Sequence, residues 1–300
     1  MKHNSRFTLR ILSVCTAAFL IVCSFAGCNS DKTADATTDA AVSTTESVET
    51  TAAVEPVSVE DVTAEATEAA ESTTQAASEA EETTEAEPKK PESKAEIVAL
   101  YNDAANSAKT DSKSILQNYS ISTQTKDASI SNKMLEGIAN KLISANMGHN
   151  KAKDNKLWTT QAEKNANFVV EGQTWASKLT EADIASATCE DKGDYYKITL
   201  RLVDDTTPNL KIGTGHAGKG ISIVTKDEIV KGAGSLGMSV IEEPSIKVSY
   251  KNCKIVATVD KETGRLLTGN YYQDWTLALT ALGIDVEVSF GLENDYKINW

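Results

Sequence analysis

A glycine-rich octapeptide is the part of the chain whose residue types come nearest to a chemical site. It spans 213–220 and reads GTGHAGKG, which contains both the G-x-G-x-x-G and the G-x-x-x-x-G-K patterns. Both patterns bind phosphate through backbone amides, and they require a buried strand before the loop and a helix directly after it. Here the polar turn 204–208 precedes the loop and the strand-like run 221–224 follows it, while Gly220 replaces the Ser or Thr that would hold magnesium. The context therefore predicts a flexible glycine loop without a nucleotide.

Other residue types that do acid–base, nucleophilic or metal chemistry are sparse. His149 and His216 lie in polar, glycine-containing stretches, and we expect both to face solvent. No HExxH, CxxC or paired Cys and His spacing is present, and no G-x-S-x-G elbow, so the sequence predicts no metal, cofactor or catalytic residue. Asp204 and Asp205 could bind calcium, although a solvated turn is the commoner role of such a pair. A pair of glycosidase carboxylates stays open, because its members would come from distant strands.

Aromatic side chains offer a second kind of candidate site. Exposed rings could stack on sugars or line a lipid groove, whereas buried rings would pack in the core and on the sheet. Packing is the commoner role, and both interpretations stay open at this point. The candidate ligand-binding aromatics are Trp158, Trp175, Tyr271, Tyr272 and Trp275. No basic patch accompanies them, so nucleic acid is not an expected partner.

The N-terminus has the plan of an export signal. Lys2, Arg6 and Arg10 precede an apolar run over 11–26, which is shorter than the ~20 residues that a spanning helix needs. A segment of this kind is typically removed, although an uncleaved anchor is the alternative.

The end of this signal identifies a class of protein. Small Ala26 and Gly27 precede Cys28, and this run resembles the lipobox of bacterial lipoproteins, with Phe25 where that family usually has Leu. The resemblance implies that a signal peptide, residues 1–27, is removed and that Cys28 carries a diacylglycerol and a further acyl chain such as palmitate. It also implies localisation at the cell membrane, facing outward, because two or more chains anchor stably.

Two cysteines remain for the rest of the exported chain. Cys15 and Cys23 would leave with the signal, and Cys28 would be lipidated. Cys189 and Cys253 could form a disulfide outside the cytoplasm, or they could be two buried thiols that pack as small apolar residues.

Residues 28–91 have the composition of a disordered acidic linker. Ala, Thr, Glu, Ser and Val dominate this segment, which cannot bury enough apolar surface to fold. Residues 29–94 hold 17 Asp and Glu against four Lys, a net charge of −13, which equals the net charge of the whole chain. The acidic balance therefore belongs to the linker, which fully extended would reach roughly 200 Å.

Residues 92–300 have the length of a single globular domain. Ser93 and Glu96 have the spacing of a capping box at the start of a helix, and a second helix is predicted over 131–147. Alternating apolar residues predict strands in 115–125 and through most of 196–300, with a bulge or turn at 251–252. We predict an α+β fold in which a curved antiparallel sheet carries two or three helices on one face. The order of elements loosely resembles the half-barrel carriers of lipoprotein-sorting systems.

The function expected from these features is binding rather than catalysis. The leading hypothesis is a lipid-anchored extracytoplasmic domain that binds an unknown ligand or envelope component on the apolar inner face of the sheet. A hydrolase of cell wall or carbohydrate is the alternative, and a purely structural surface protein is a third. An enzyme is the less favoured class.

Overall fold

The computed structural model describes residues 89–146, 155–206, 210–234, 246–281 and 283–300. The predicted signal peptide, Cys28, most of the predicted linker and His149 lie outside the described residues. The helices are α1 (Lys94–Asp111), α2 (Lys133–Asn146), α3 (Gln161–Asn167) and α4 (Lys226–Gly234). The strands are β1 (Ser114–Ile130), β2 (Lys156–Trp158), β3 (Ile184–Asp191), β4 (Tyr195–Leu202), β5 (Lys247–Asp260), β6 (Leu266–Ala281) and β7 (Ile284–Asn299).

The described strands form one seven-stranded antiparallel sheet, so the domain is α+β as predicted. The strand order is β2-β1-β7-β6-β5-β4-β3. Strands β3 to β7 follow one another as a meander, and the last strand, β7, pairs with the first strand, β1. Ser114 lies opposite Asn299 at one end of this pair, and Ile130 lies opposite Val286 at the other. The alternation of Tyr296, Ile298 and Trp300 predicts a paired strand near the C-terminus, and the pairing of β7 with β1 and β6 confirms it.

The two faces of the sheet differ because apolar and polar residues alternate along each strand. In β6, Tyr271 and Trp275 are buried on what we call the core face, whereas Tyr272 and Asp274 are half-buried on the opposite, open face. The predicted irregularity in β5 is present, because the register shifts between Lys251 and Lys254. This shift keeps the apolar residues of β5 on the core face along its whole length.

Helix α1 covers the core face and begins as the sequence predicts. The Ser93 hydroxyl accepts from the Glu96 amide at 3.2 Å, and the Glu96 carboxylate accepts from the Ser93 amide at 2.9 Å. The Tyr101 hydroxyl of α1 donates to the Tyr271 hydroxyl at 3.2 Å inside the core. Phe168 is fully buried and meets the Tyr271 ring edge-on at a centroid distance of 6.3 Å. The core face is thus occupied by side chains of the chain itself.

The polar composition of 149–178 predicts short strands or a mobile excursion. From residue 155 on, the structure has one short strand, β2, as predicted, and helix α3, which was not predicted. Helix α3 begins at a capping box in which the Thr160 hydroxyl accepts from the Glu163 amide at 3.3 Å. Residues 180–183 have the pattern of a helix start and predict a single turn before a strand. The structure has a 3₁₀ turn over Glu181–Asp183, directly before β3. None of the described helices is both long and apolar enough to span a bilayer.

Candidate functional site

The amides of the glycine loop already bind a carboxylate of the same chain. Asp205 Oδ2 accepts from the amides of His216 and Ala217, each at 2.8 Å. Gly215 has φ +69°, and a Cβ at this residue would lie 2.8 Å from Asp205 Oδ2. Successive amides around such a glycine form an anion-binding concavity. Asp205 fills the place that a phosphate would need, so the loop is not arranged as a nucleotide site.

The same loop is packed rather than flexible, which corrects the prediction from sequence. Ala217 and Gly218 are buried in a 3₁₀ turn over Ala217–Lys219. A Cβ at Gly220 would lie 2.7 Å from the side chain of Leu179. Glycine is therefore favoured at residue 220, because its backbone lies against the Leu179 side chain and leaves no room for a Cβ.

His216 and Lys219 of this loop both contact Asp183. The carboxylate Oδ1 lies 2.9 Å from His216 Nδ1 and 2.7 Å from Lys219 Nζ, while Oδ2 accepts from the Thr180 amide at 2.8 Å. The Asp183 side chain is only 1% exposed. Burial alone would raise the pKa of Asp183, but the donors of Lys219, Thr180 and His216 outweigh it and lower the pKa to about 2.

This His–Asp contact has the geometry of the supporting half of a catalytic triad. A triad also needs a nucleophile that donates to the imidazole, and among the described residues His216 has no hydrogen bond to a hydroxyl or thiol. The Asp183 oxygen that contacts His216 also forms an ion pair with Lys219. The positive charge of Lys219 therefore neutralises the buried carboxylate. The arrangement joins the glycine loop to the turn before β3. His216 is partly exposed, so the expectation that it faces solvent is only partly met.

Lys109 forms a second buried charged group, which no local pattern in the sequence indicates. Its ammonium lies within 3.2 Å of four carbonyl oxygens, those of Phe168, Val169, Val170 and Trp175. Burial lowers the pKa of Lys109 to about 7. The contacts attach the segment after α3 to helix α1, so the role of Lys109 is structural.

The candidate aromatics separate into buried and accessible residues. Trp158, Tyr271 and Trp275 are 6%, 1% and 3% exposed, so their rings pack in the core. Trp175 is half-buried, and it lies against Gly213 and beneath the Lys178 ammonium, 4.4 Å from the ring centroid. Of the five, Tyr272 is the residue that reaches the open face.

The two cysteines do not form the disulfide that the sequence left open. Cys189 in β3 and Cys253 in β5 are both free, buried thiols, with strand β4 between their strands. Burial raises the pKa of both thiols, because the thiolate would lose its hydration. They act as small apolar residues of the core.

The open face carries a hydrogen-bonded polar cluster on β1, β6 and β7. The Tyr119 hydroxyl donates to Glu293 Oε1 at 2.9 Å, and the Asn270 amide donates to the same oxygen at 2.8 Å. Asn118 donates to Asp295 Oδ1 at 2.6 Å. Burial and the neighbouring Glu293 carboxylate raise the pKa of Tyr119 to about 12. These half-buried side chains are held in fixed positions by one another.

Tyr272 continues this cluster toward β5. Its hydroxyl donates to Asp274, whose other oxygen accepts from the Asn252 side chain at 2.8 Å. A Cβ at Gly291 would lie 3.1 Å from the Tyr272 hydroxyl, so the glycine leaves room for the ring to lie across β7. We call Tyr119, Asn270, Tyr272, Glu293 and Asp295 the tyrosine cluster. The alternation of Asn270 with Tyr272 and of Glu293 with Asp295 is the sequence signal that could have indicated it.

No group of three or more potential ligands in the described part of the chain could hold a metal ion. Asp204 and Asp205, the pair considered for calcium, instead accept from the amides of Asn252 and of the glycine loop. Comparison with known proteins found no matching family model, no similar curated protein and no similar solved structure.

Proposed function

We propose that this chain is a lipid-anchored, non-catalytic binding protein, and that its open sheet face binds a carbohydrate component of the cell envelope. The observation that carries the proposal is the tyrosine cluster. A sugar presents hydroxyl groups that need hydrogen-bond partners and ring faces that pack on aromatic side chains. Amide, carboxylate and tyrosyl groups that are already fixed by one another can meet both needs with little loss of side-chain entropy.

The anchor is the second part of the proposal, and it rests on the resemblance at Cys28. A diacylglycerol on that residue, with the acidic segment as a spacer, would hold the domain outside the cell membrane. Cys28→Ser should move the protein from the membrane fraction to the soluble fraction and leave the precursor unprocessed. A Cys28→Ser protein that stays with the membrane and is processed normally would contradict the anchor.

The proposal places binding on the open face rather than on the apolar inner face that the sequence suggested. Tyr101, Phe168 and Tyr271 fill the core face between α1 and the sheet, each at 1% exposure or less. A ligand there would have to displace packed side chains, at a cost of several kcal/mol for each large residue moved. A curved sheet with two or three helices on this face is part of the same proposal, and the contact of Tyr101 in α1 with Tyr271 supports it for α1.

A glycan titration tests the binding function. Isothermal calorimetry of the full-length protein in detergent would use neutral chitotetraose and acidic tetragalacturonate as probes. We expect at least one probe to bind, and Tyr119→Ala and Tyr272→Ala to weaken that binding about tenfold each, as loss of a central aromatic contact does. Tyr195→Ala is the matched control, because Tyr195 lies on the open face of β4, away from the cluster.

Two results of the glycan titration would contradict the proposal. Binding that all three alanine variants retain would place the site elsewhere on the protein. Absence of binding to both probes would contradict the carbohydrate assignment.

A further inference from the structure

Two positive charges lie directly opposite each other on the open face. Arg201 in β4 is the register partner of Lys254 in β5. Their strand neighbours Leu200 and Ile255 are fully buried, so Arg201 and Lys254 point to the open face. Like charges at opposed positions of an antiparallel pair destabilise the sheet. Among the described residues, neither Arg201 nor Lys254 has an ion-pair partner.

This cationic pair, Arg201 and Lys254, is continuous with the tyrosine cluster. Lys254 is the register partner of Tyr272, and Tyr272 is the register partner of Glu293. The four residues therefore form one row across β7, β6, β5 and β4. Neighbouring strands lie about 4.8 Å apart, so the row places Arg201 about 10 Å from Tyr272. A ligand a few sugar units long can contact both groups at once.

We propose that the ligand of the open face is an acidic polysaccharide, whose carboxylate groups pair with Arg201 and Lys254 while a neighbouring sugar ring packs on Tyr272. This inference rests on the proposed function and names the class of its ligand. An anion between the two cations offsets their repulsion. It also accepts charge-assisted hydrogen bonds, which are stronger than hydrogen bonds between neutral groups.

The carboxylates near Tyr272 favour an acidic polysaccharide over ligands with more closely spaced negative charges, such as nucleic acid or an anionic lipid surface. Glu293 is the register partner of Tyr272, Asp274 accepts from the Tyr272 hydroxyl, and Asp295 lies on the same face opposite Asn270. A nucleic acid or an anionic lipid surface would bring negative charge against these carboxylates, and like charges in contact are costly. A glycan can place its few carboxylates on the cationic pair and its hydroxyl groups on the carboxylates of the protein.

The test compares tetragalacturonate with neutral chitotetraose by calorimetry of the full-length protein in detergent. We expect the acidic probe to bind at least about tenfold more tightly at low salt and to lose this advantage as salt rises. The double variant Arg201→Ala with Lys254→Ala should remove the difference between the two probes. The charge-preserving double variant Arg201→Lys with Lys254→Arg should keep most of it.

The outcomes separate this inference from the proposed function. Equal binding of the two probes, with unchanged dependence on Tyr119 and Tyr272, overturns the acidic ligand and leaves carbohydrate binding in place. Absence of binding to both probes overturns both proposals. A soluble short-chain phosphatidylglycerol that binds as tightly as tetragalacturonate, and depends on the same two cations, also overturns the acidic glycan.

Discussion

Replacing Lys109 with methionine should destabilise the domain strongly, because Lys109 is a fully buried charged side chain. Methionine keeps much of the side-chain volume but donates no hydrogen bond. Four carbonyl oxygens, each within 3.2 Å of the ammonium, would lose their buried donor. A buried acceptor left without its donor costs about 1–3 kcal/mol, so the four carbonyls together should cost about 3–5 kcal/mol even after the segment relaxes. For a domain of this size, that loss lowers Tm by about 6–20 °C.

Urea unfolding monitored by tryptophan fluorescence measures this effect. Trp158 and Trp175 flank the segment that Lys109 holds, so local loosening and global unfolding are both visible. Lys113→Met is the matched control, because Lys113 is exposed just after α1 and its replacement should change stability by less than about 0.5 kcal/mol. Equal stability of the two variants would refute the structural role of Lys109.

The pH dependence of the same comparison checks the protonation of Lys109. Burial lowers its pKa from 10.5 to about 7 in the folded protein. Between these values the unfolded chain binds more protons than the folded one, so the free energy of unfolding rises with pH. The advantage of the wild type over Lys109→Met should therefore grow from pH 7 to pH 10. A constant difference across this range would show that the lysine keeps its ordinary pKa.

Three further predictions concern the glycine loop and the cysteines. Asp183→Asn should cost about 2 kcal/mol at pH 7, because the pKa of Asp183 lies below its unfolded value. In urea titrations, most of the wild-type advantage should be lost as pH falls from 4 to 2. Gly215→Ala should lower Tm through its positive φ and its close approach to Asp205, whereas the same change at exposed Gly193 adds only the φ strain. Cys189 and Cys253 should resist iodoacetamide in native protein and react in urea, as mass spectrometry would show; rapid native labelling would contradict their burial.

Local patterns predicted those elements whose geometry is set by nearby residues. The capping box of Ser93 with Glu96 and the irregularity after Lys251 both follow from short spacings. Helix α3 begins with the same capping-box spacing, Thr160 with Glu163. It was not predicted because the residues around it are mostly polar and show no apolar periodicity.

The contacts that matter for the candidate sites join residues far apart in the chain, and no local pattern contains them. Asp183 and Asp205 meet the glycine loop only because the loop packs back onto the turns before β3 and after β4. The tyrosine cluster likewise depends on β1 pairing with β7, which brings Tyr119 beside Glu293 across 174 positions. Alternation could predict that these residues share a face, but not which strands would be neighbours.

Tyrosine-ring NMR of the full-length protein, titrated with tetragalacturonate, tests the binding account most directly. The account predicts that the ring signals of Tyr119 and Tyr272 shift on binding, because both rings lie on the open face. The buried rings of Tyr101 and Tyr250 should keep their positions. A titration that reaches saturation while the signals of Tyr119 and Tyr272 stay unchanged would contradict binding at the open face.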